Sequence, residues 1–187
     1  YSSFNATVEG LAGRATHQVS AASGIPSQRL ADLKAVAGVQ AAQPLLESLL
    51  PVAGLVDSAG RLSGPALPPL RLVGIDPFLF PPFVTGDASP LDGGDLAVFV
   101  STVGGVYLPQ SWLRQAGWKP GNRVRVLAGG RALDLKVLQA YPSGPFGLAN
   151  DNVAVCDIAT AQEILNRLDR IDRIDLILQP HAVHAVQ

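Results

Sequence analysis

The pattern that most constrains the fold lies near the end of the chain, where a strand, a helix and a second strand follow one another closely. Val153–Asp157 is apolar and has the length of a buried strand. Thr160, as the N-cap residue, and Glu163 have the spacing of a capping box, which marks the start of a helix. Arg173–Leu178 has the composition of a second strand. These residues predict a β-α-β unit with parallel strands.

A matching unit is predicted at the front of the chain. Residues 8–22 have a weak period-two pattern, which is typical of a partly exposed strand. Pro26 or Ser27 opens a helix, and Gly38 stands where a helix often ends in a left-handed residue. Residues 39–56 then have the composition of an extended segment interrupted by prolines.

The middle of the chain predicts a mainly β region with one short helix. Residues 122–127 and 133–138 both alternate apolar and polar side chains, and a Gly-Gly pair between them is suited to a hairpin turn. Leu96–Ser101 is predicted to be a buried strand. Pro109–Ala116 is predicted to be a helix with proline in its first turn.

One segment of this region, residues 77–84, combines three phenylalanines with three prolines and so excludes a helix or a central strand. In one interpretation, its rings pack into the body of the protein. In the other, the segment is an exposed apolar loop that docks on a partner or on a membrane face. Phe78, Phe80 and Phe83 are therefore the candidate partner-binding residues.

Charged residues indicate neither a nucleic-acid surface nor a strong electrostatic site. The formal net charge is −1, and no basic run is present. Arginine and aspartate alternate between Arg167 and Asp175. We interpret this alternation as local ion pairing around a turn, in which each pair contributes little stability.

The sequence contains no recognisable catalytic or cofactor-binding pattern. A Gly-x-Gly-x-x-Gly motif, a phosphate-binding loop and a Gly-x-Ser-x-Gly elbow are all absent. Cys156 lies in an apolar strand, where a small buried side chain is the default interpretation. We predict no catalytic, cofactor-binding or metal-binding residues. Two alternatives stay open: an exported hydrolase with a pocket that gathers Ser101, Asp157 or His17, and an adaptor-type binding module.

Two features lead us to expect a segment of a longer protein. The sequence opens on tyrosine and contains no methionine. Its longest apolar stretch, Leu45–Val56, is interrupted by Glu47 and Pro51 and is too short to cross a bilayer. Any membrane segments are expected outside this sequence.

Several short motifs together resemble a known family. From about residue 10 to residue 178, their order and spacing are similar to those of the extracytoplasmic core domain of MacB-like and FtsX-like ABC transporter permeases. The motifs are Ala37–Val39, Pro44, Val73–Pro77, Val98–Ser101, Gly117–Gly121, Arg123–Leu127, Val155–Asp157 and Ala161–Leu165.

The resemblance implies an α+β fold in two parts. Residues 1–76 and 150–187 would form a discontinuous, porter-like body close to the membrane, built from the two β-α-β units. Residues 77–149 would form an inserted, mainly β, sabre-like subdomain with a short helix. The segment would lie on the extracytoplasmic or periplasmic side of a bacterial inner (plasma) membrane protein.

The resemblance also implies a role without catalysis or cofactor. The domain would transmit ATP-driven motion to a substrate or a periplasmic partner, in export, efflux or lipoprotein release. Its partners would be an ABC ATPase subunit or domain, reached through membrane helices, and a periplasmic adaptor or substrate protein. The permease would form a homodimer or a heterodimer, and no nucleic acid would bind.

Overall fold

The computed structural model describes residues 14–65, 67–84, 91, 96–141 and 152–179. The strands within these ranges are β1 (His17–Pro26), β2 (Val39–Leu50), β3 (Val52–Val56), β4 (Leu62–Ser63), β5 (Leu70–Ile75), β6 (Gly105–Pro109), β7 (Arg123–Ala128), β8 (Arg131–Tyr141), β9 (Val153–Asp157) and β10 (Arg170–Leu178). The helices are α1 (Arg29–Lys34), α2 (Leu96–Ser101), α3 (Gln110–Ala116) and α4 (Ile158–Leu165). A 3-10 helix covers Pro81–Phe83.

The ten strands form one mixed sheet in the order β1-β10-β2-β5-β9-β6-β8-β7-β3-β4. Strand β10 is antiparallel to both of its neighbours, β1 and β2, so β1 and β2 run parallel with β10 between them. Strand β5 is antiparallel to β2 and parallel to β9, and β9 therefore runs parallel to β10. The strand directions of both β-α-β units agree with the prediction, and each unit places a strand between strands of the other.

Helices cover both faces of this sheet. On one face Leu46 and Leu72 pack in a cluster with Ala161 and Ile164 of α4. On the other face, Leu45 packs in a separate cluster with the rings of Phe80 and Phe99. Neighbouring residues of one strand thus enter different cores, as the two-residue period of a strand requires. No helix in the described residues is long and apolar enough to cross a membrane.

The prediction of a strand at Leu96–Ser101 is wrong, because these residues form helix α2. Phe99 is fully buried, and its ring meets Tyr107 edge-on with 4.8 Å between centroids. Val98 and Val100 on either side of it are exposed. The β-branched composition favoured a strand, but the packing of one aromatic ring decides the conformation, since β-propensity depends strongly on context.

The prediction that Thr160 caps helix α4 is also wrong. Asp157, the last residue of β9, has extended backbone angles and is the N-cap. Its Oδ1 accepts a hydrogen bond from the backbone N–H of Thr160 at 3.1 Å. Both residue types cap helices well, and the earlier start leaves no residues between β9 and α4.

Helix α1 ends earlier than predicted, at Lys34, and Gly38 lies at φ 93° in the turn before β2.

Gly74 of β5 lies directly beneath α4. A Cβ atom at this position would stand 2.4 Å from the Cβ of Ala161 and 3.2 Å from the Cα of Ile158. Gly74→Ala is therefore expected to lower the free energy of unfolding by about 1–3 kcal/mol, because the helix must move away from the sheet. Urea unfolding followed by tryptophan fluorescence measures the change.

A compensating substitution isolates this contact. In the double variant Gly74→Ala/Ala161→Gly the methyl group is moved from the helix to the strand, and part of the lost stability should return despite a cost of about 1 kcal/mol for glycine in a helix. A double variant whose loss equals the sum of the two single losses would show that this contact does not limit the approach of the helix.

A partly exposed ion pair links β7 and β8. Arg125 donates from Nε to Oδ1 of Asp134 at 2.6 Å and from Nη2 to Oδ2 at 3.0 Å. These hydrogen bonds lower the pKa of Asp134 below its ordinary value of 3.8. An acid with a lowered pKa in the folded state stabilises the protein above its unfolded pKa and loses that contribution as the pH falls through the folded value.

Asp134→Asn is accordingly expected to lower the melting temperature at pH 7 by roughly 1–3 °C, which is typical of such pairs. The difference from the unsubstituted chain should shrink as the pH falls below 3.8. Thermal unfolding at several pH values tests this. As a control, Asp32→Asn removes the Arg29–Asp32 pair, whose side chains are more than 60% exposed, and should change little. If the difference in melting temperature stayed constant with pH, the stabilisation would not come from the ionised carboxylate of Asp134.

Candidate functional site

Several segments meet at one end of the sheet, which we call the His17 end. His17 at the start of β1 pairs with Leu176, and Leu178 at the end of β10 pairs with Val39 at the start of β2. The backbone N–H of Gln179 then donates to the oxygen of Gly38 at 2.9 Å. The first and last described residues therefore lie close together, on neighbouring strands.

The phenylalanine segment follows β5 at this same end. Pro77 leaves the strand after Asp76, whose Oδ1 accepts a hydrogen bond from the N–H of Phe78 at 2.9 Å. The N–H of Leu79 donates to the backbone oxygen of Asp76 at 3.2 Å, which closes a turn. The two prolines that follow begin the 3-10 helix, in which the N–H of Phe83 donates to the oxygen of Phe80 at 2.9 Å.

The three phenylalanines are placed differently by these turns. Phe80 and Phe83 are 1% and 2% exposed, so their rings pack inside the protein. Phe78 is 68% exposed. Each of the two interpretations of the segment thus describes part of it: two rings anchor the loop, and only Phe78 offers an aromatic surface for contact.

Phe78 borders a small groove, the Phe78 groove, with a volume of about 160 Å³. Drug-sized ligands occupy pockets of about 300–1,000 Å³, so the groove is too small for such a substrate. It has the size and character of a contact surface for a few apolar groups, with one cation beside them. Its lining residues are Lys34, Val39, Gln40, Ala41, Ala42, Phe78, Leu79 and Pro82.

A buried charge network crosses three strands on the face of the sheet that carries Leu45. Glu47 of β2 accepts hydrogen bonds from Arg173 of β10 and from Nε of Arg71 of β5, the latter at 3.0 Å. Arg173 also donates from Nε to Oδ1 of Asp175 at 3.0 Å. Local pairs form as predicted between Arg167 and Asp172 and between Arg173 and Asp175. Arg173 also pairs with Glu47, 126 residues away in sequence, and this contact was not predicted.

The burial of this network determines its electrostatics. The side chains of Arg173 and Asp175 are 7% and 3% exposed. Burial raises the pKa of Asp175 above 3.8 and the charge of Glu47 adds to this, against the opposing charge and hydrogen bond of Arg173. The network ties β10, β2 and β5 together, and little of it is accessible from outside.

The residues named for a hydrolase are not assembled into a site. His17 is exposed on β1, and Asp157 lies four strands away in β9, a distance of about 19 Å at the usual strand spacing. The carboxylate of Asp157 caps α4, and Ser101 is exposed at the end of α2. No hydrogen bond joins any two of the three within the described ranges.

Cys156 likewise provides no accessible nucleophile. The thiol of Cys156 is fully buried, and burial, together with the charge of Asp157, raises its pKa well above 9.0. A protonated, inaccessible thiol is neither a nucleophile nor a metal ligand. The described part of the chain contains no group of three His, Cys, Asp or Glu residues that could hold a metal.

Comparison with known proteins identifies the fold. No family model and no curated protein matches this chain. Among solved structures, the extracellular domain of the noncanonic ABC-type transporter YknZ from Gram-positive bacteria is similar, with a TM-score of 0.56 and 11% identity over 86% of this chain and 76% of that one. The chain has the fold of such transporter domains.

Two further structures agree. The periplasmic region of MacB from Actinobacillus actinomycetemcomitans has a TM-score of 0.53 and 13% identity, over 94% of this chain and 80% of that one. A domain of a permease protein from Porphyromonas gingivalis has a TM-score of 0.52 and 15% identity, over 85% of this chain and 65% of that one. The predicted α+β fold is confirmed.

The sequence predicts the phenylalanine segment as a possible contact region, but it does not predict the charge network. The three phenylalanines were predicted as a group, but no periodicity separates the exposed ring from the buried ones. In the sequence, Glu47 stands out only because it interrupts an apolar stretch. A charge inside such a stretch is itself a signal, because charged residues are seldom buried unless they are paired.

Proposed function

We propose that this chain is the extracytoplasmic domain of a bacterial ABC transporter permease. The observation that carries the proposal is the fold, combined with the close approach of residues 14–17 and 176–179 at one end of the sheet. Such an arrangement suits a domain inserted between two membrane helices. The protein would lie in the plasma membrane, with this segment outside the cytoplasm.

We further propose that the domain transmits motion and makes no covalent bonds. An ATPase subunit or domain would bind the permease inside the cell and move the membrane helices. This domain would then act on a substrate or a periplasmic adaptor, and the permease would work as a homodimer or a heterodimer. Rigid transmission requires strands and helices that move together.

Three features support stiffness. A single sheet runs through all ten strands, and the buried charge network joins β10, β2 and β5. At the tip of the β7–β8 hairpin, Arg131 donates from Nη2 to the backbone oxygen of Ile164 in α4 at 3.2 Å. This bond links the hairpin to the helix of the closing β-α-β unit.

The proposed layout places residues 1–76 and 150–187 close to the membrane and residues 77–149 in an inserted subdomain. Strands β1–β5, β9 and β10 belong to the first part and β6–β8 to the second. Strand β3, although it belongs to the first part in sequence, pairs with β7. The two parts would therefore be joined through the sheet as well as through the chain.

The location can be tested by the gene and by labelling. The full reading frame should encode apolar segments of about 20 residues on both sides of this sequence. In intact cells, a membrane-impermeant maleimide should label a Leu168→Cys variant of the full-length protein, because Leu168 is 65% exposed. The unsubstituted protein is a suitable control for this chain, because Cys156 is buried. Labelling only after cell lysis would contradict an extracytoplasmic position.

Transmission can be tested separately with flexible linkers. A Gly-Ser linker inserted before residue 14 and another after residue 179 of the full-length protein should let the membrane helices move without this domain. Transport should be lost while ATP hydrolysis continues. The control carries the same linker in the Asp57–Arg61 turn, which lies outside the proposed path. Full transport by the first variant would contradict mechanical transmission.

A further inference from the structure

We propose that the Phe78 groove contacts the anionic surface of the membrane in which the permease sits. This inference rests on the proposed function, which supplies a membrane near the His17 end. It adds a contact residue and a ligand class: Phe78 in the interfacial region, and lipid phosphate groups beside Lys34.

The strand register sets the height of Phe78. Strand β5 ends at Ile75, which pairs with Leu45, and Phe78 then lines the groove together with Ala41 and Ala42, so it lies near the level of these residues. Ala42 and Val39 pair with Leu176 and Leu178, the last residues of β10. Phe78 is therefore level with the strand ends that would continue into membrane helices, and any flat surface near those ends comes within reach of its ring.

The chemistry of the groove suits a lipid surface. Aromatic rings beside basic residues are typical of the membrane interface, where the ring enters the headgroup region and the cation meets phosphate. Lys34, at the last turn of α1, lines the groove and is exposed. Arg14 and His17 are exposed at the same end. Asp76, which is partly buried, is the acidic residue next to Phe78, and its Oδ1 accepts the N–H of Phe78.

The position of the groove also favours lipid over a partner protein. A docking partner requires room to approach, and the end of the sheet that leads into membrane helices leaves little space for a folded domain. The groove is small and offers one exposed aromatic ring, Phe78, which is a small patch for a specific protein interface.

The test uses a reporter at each end of the sheet. In the complete chain, Phe78→Trp places an indole at the His17 end. Leu168→Trp is the matched control, because Leu168 is equally exposed and lies before β10 begins, about 30 Å away along the strands. Each variant is attached by a terminal polyhistidine tag to vesicles that contain a nickel-chelating lipid, phosphatidylcholine and phosphatidylglycerol with brominated acyl chains. The unsubstituted chain gives the background of Trp112 and Trp118, which are buried.

Bromine should quench the indole at position 78 at least about twofold more than the indole at position 168, since interfacial aromatic rings reach the start of the acyl chains. Adding Lys34→Glu should reduce this quenching on vesicles with phosphatidylglycerol and leave it unchanged on phosphatidylcholine alone. In parallel experiments the tag is placed at the N-terminus or at the C-terminus. With either placement, the indole at position 78 should be quenched more than the indole at position 168.

Each contrary outcome has a distinct meaning. Equal weak quenching at both positions overturns the membrane contact but leaves the proposed function, which depends on the reading frame and the labelling. A blue shift of the indole at position 78 without quenching also overturns it, because the ring is then shielded by protein and not by lipid. Stronger quenching at position 168 overturns the orientation as well.

Discussion

Replacing Glu47 with alanine is expected to lower the free energy of unfolding by about 3–5 kcal/mol, the usual loss when one partner of a buried ion pair is removed. Among the described residues, Arg173 then keeps Asp175 as its acidic partner, and Arg71 loses its hydrogen bond to Glu47. Arg173 cannot easily turn to solvent, because its side chain is 7% exposed. Urea unfolding at neutral pH measures the loss.

The exposed pair between Arg29 and Asp32 provides the control for this prediction. Asp32→Ala removes a carboxylate whose side chain is 63% exposed and should cost less than about 0.5 kcal/mol. A double-mutant cycle then assigns the Glu47 effect to the network. The variant Glu47→Ala/Arg173→Ala should be more stable than the sum of the single losses predicts, by about 1–3 kcal/mol. Additive losses would mean that the two side chains act independently.

Local pattern predicted several strands, because their signals are short in range, but it did not predict β4 or β6. The β7–β8 hairpin required only alternating side chains and a Gly-Gly turn, and β9 required only a buried apolar run. The α3 helix was also recognisable, from proline before it and glycine after it. Each of these features is determined by neighbours within a few residues.

The wrong local predictions concern residues whose environment decides between two allowed conformations. Leu96–Ser101 has the composition of a strand, yet the burial of the Phe99 ring beside Tyr107 makes it a helix. At the start of α4, Asp157 and Thr160 are both good capping residues. Which of them caps the helix depends on where β9 ends, and that is fixed by its pairing with β5.

The charge network was beyond local reasoning for a different reason. Arg173 alternates with aspartates in sequence, and this pattern predicts ion pairs with nearby residues. In the structure its bond to Glu47 exists because β10 lies between β1 and β2, which is a consequence of sheet order. Sheet order depends on the whole chain, and no periodicity within β10 records it.

Phe80→Ala should lower the free energy of unfolding by about 3–5 kcal/mol, whereas Phe78→Ala should change it by less than about 0.5 kcal/mol. The two residues differ by two positions in sequence, but Phe80 is 1% exposed and packs with Leu45 and Phe99, and Phe78 is 68% exposed. Removing the buried ring leaves a cavity in the core, while removing the exposed ring leaves only solvent. Urea unfolding of the two variants under the same conditions gives the comparison.

The pair of variants also separates structure from contact, which substitution of all the phenylalanines together cannot do. Phe78→Ala, as a fully folded protein, should lose transport in the full-length permease if the ring contacts the membrane during the working cycle. Phe80→Ala should lose activity only to the extent that the domain unfolds, so conditions that restore folding should restore transport. Equal losses of stability in the two variants would show that the loop is anchored through Phe78 as well. The exposed ring would then be part of the packing rather than a surface for contact, and the groove would lose its only aromatic contact group.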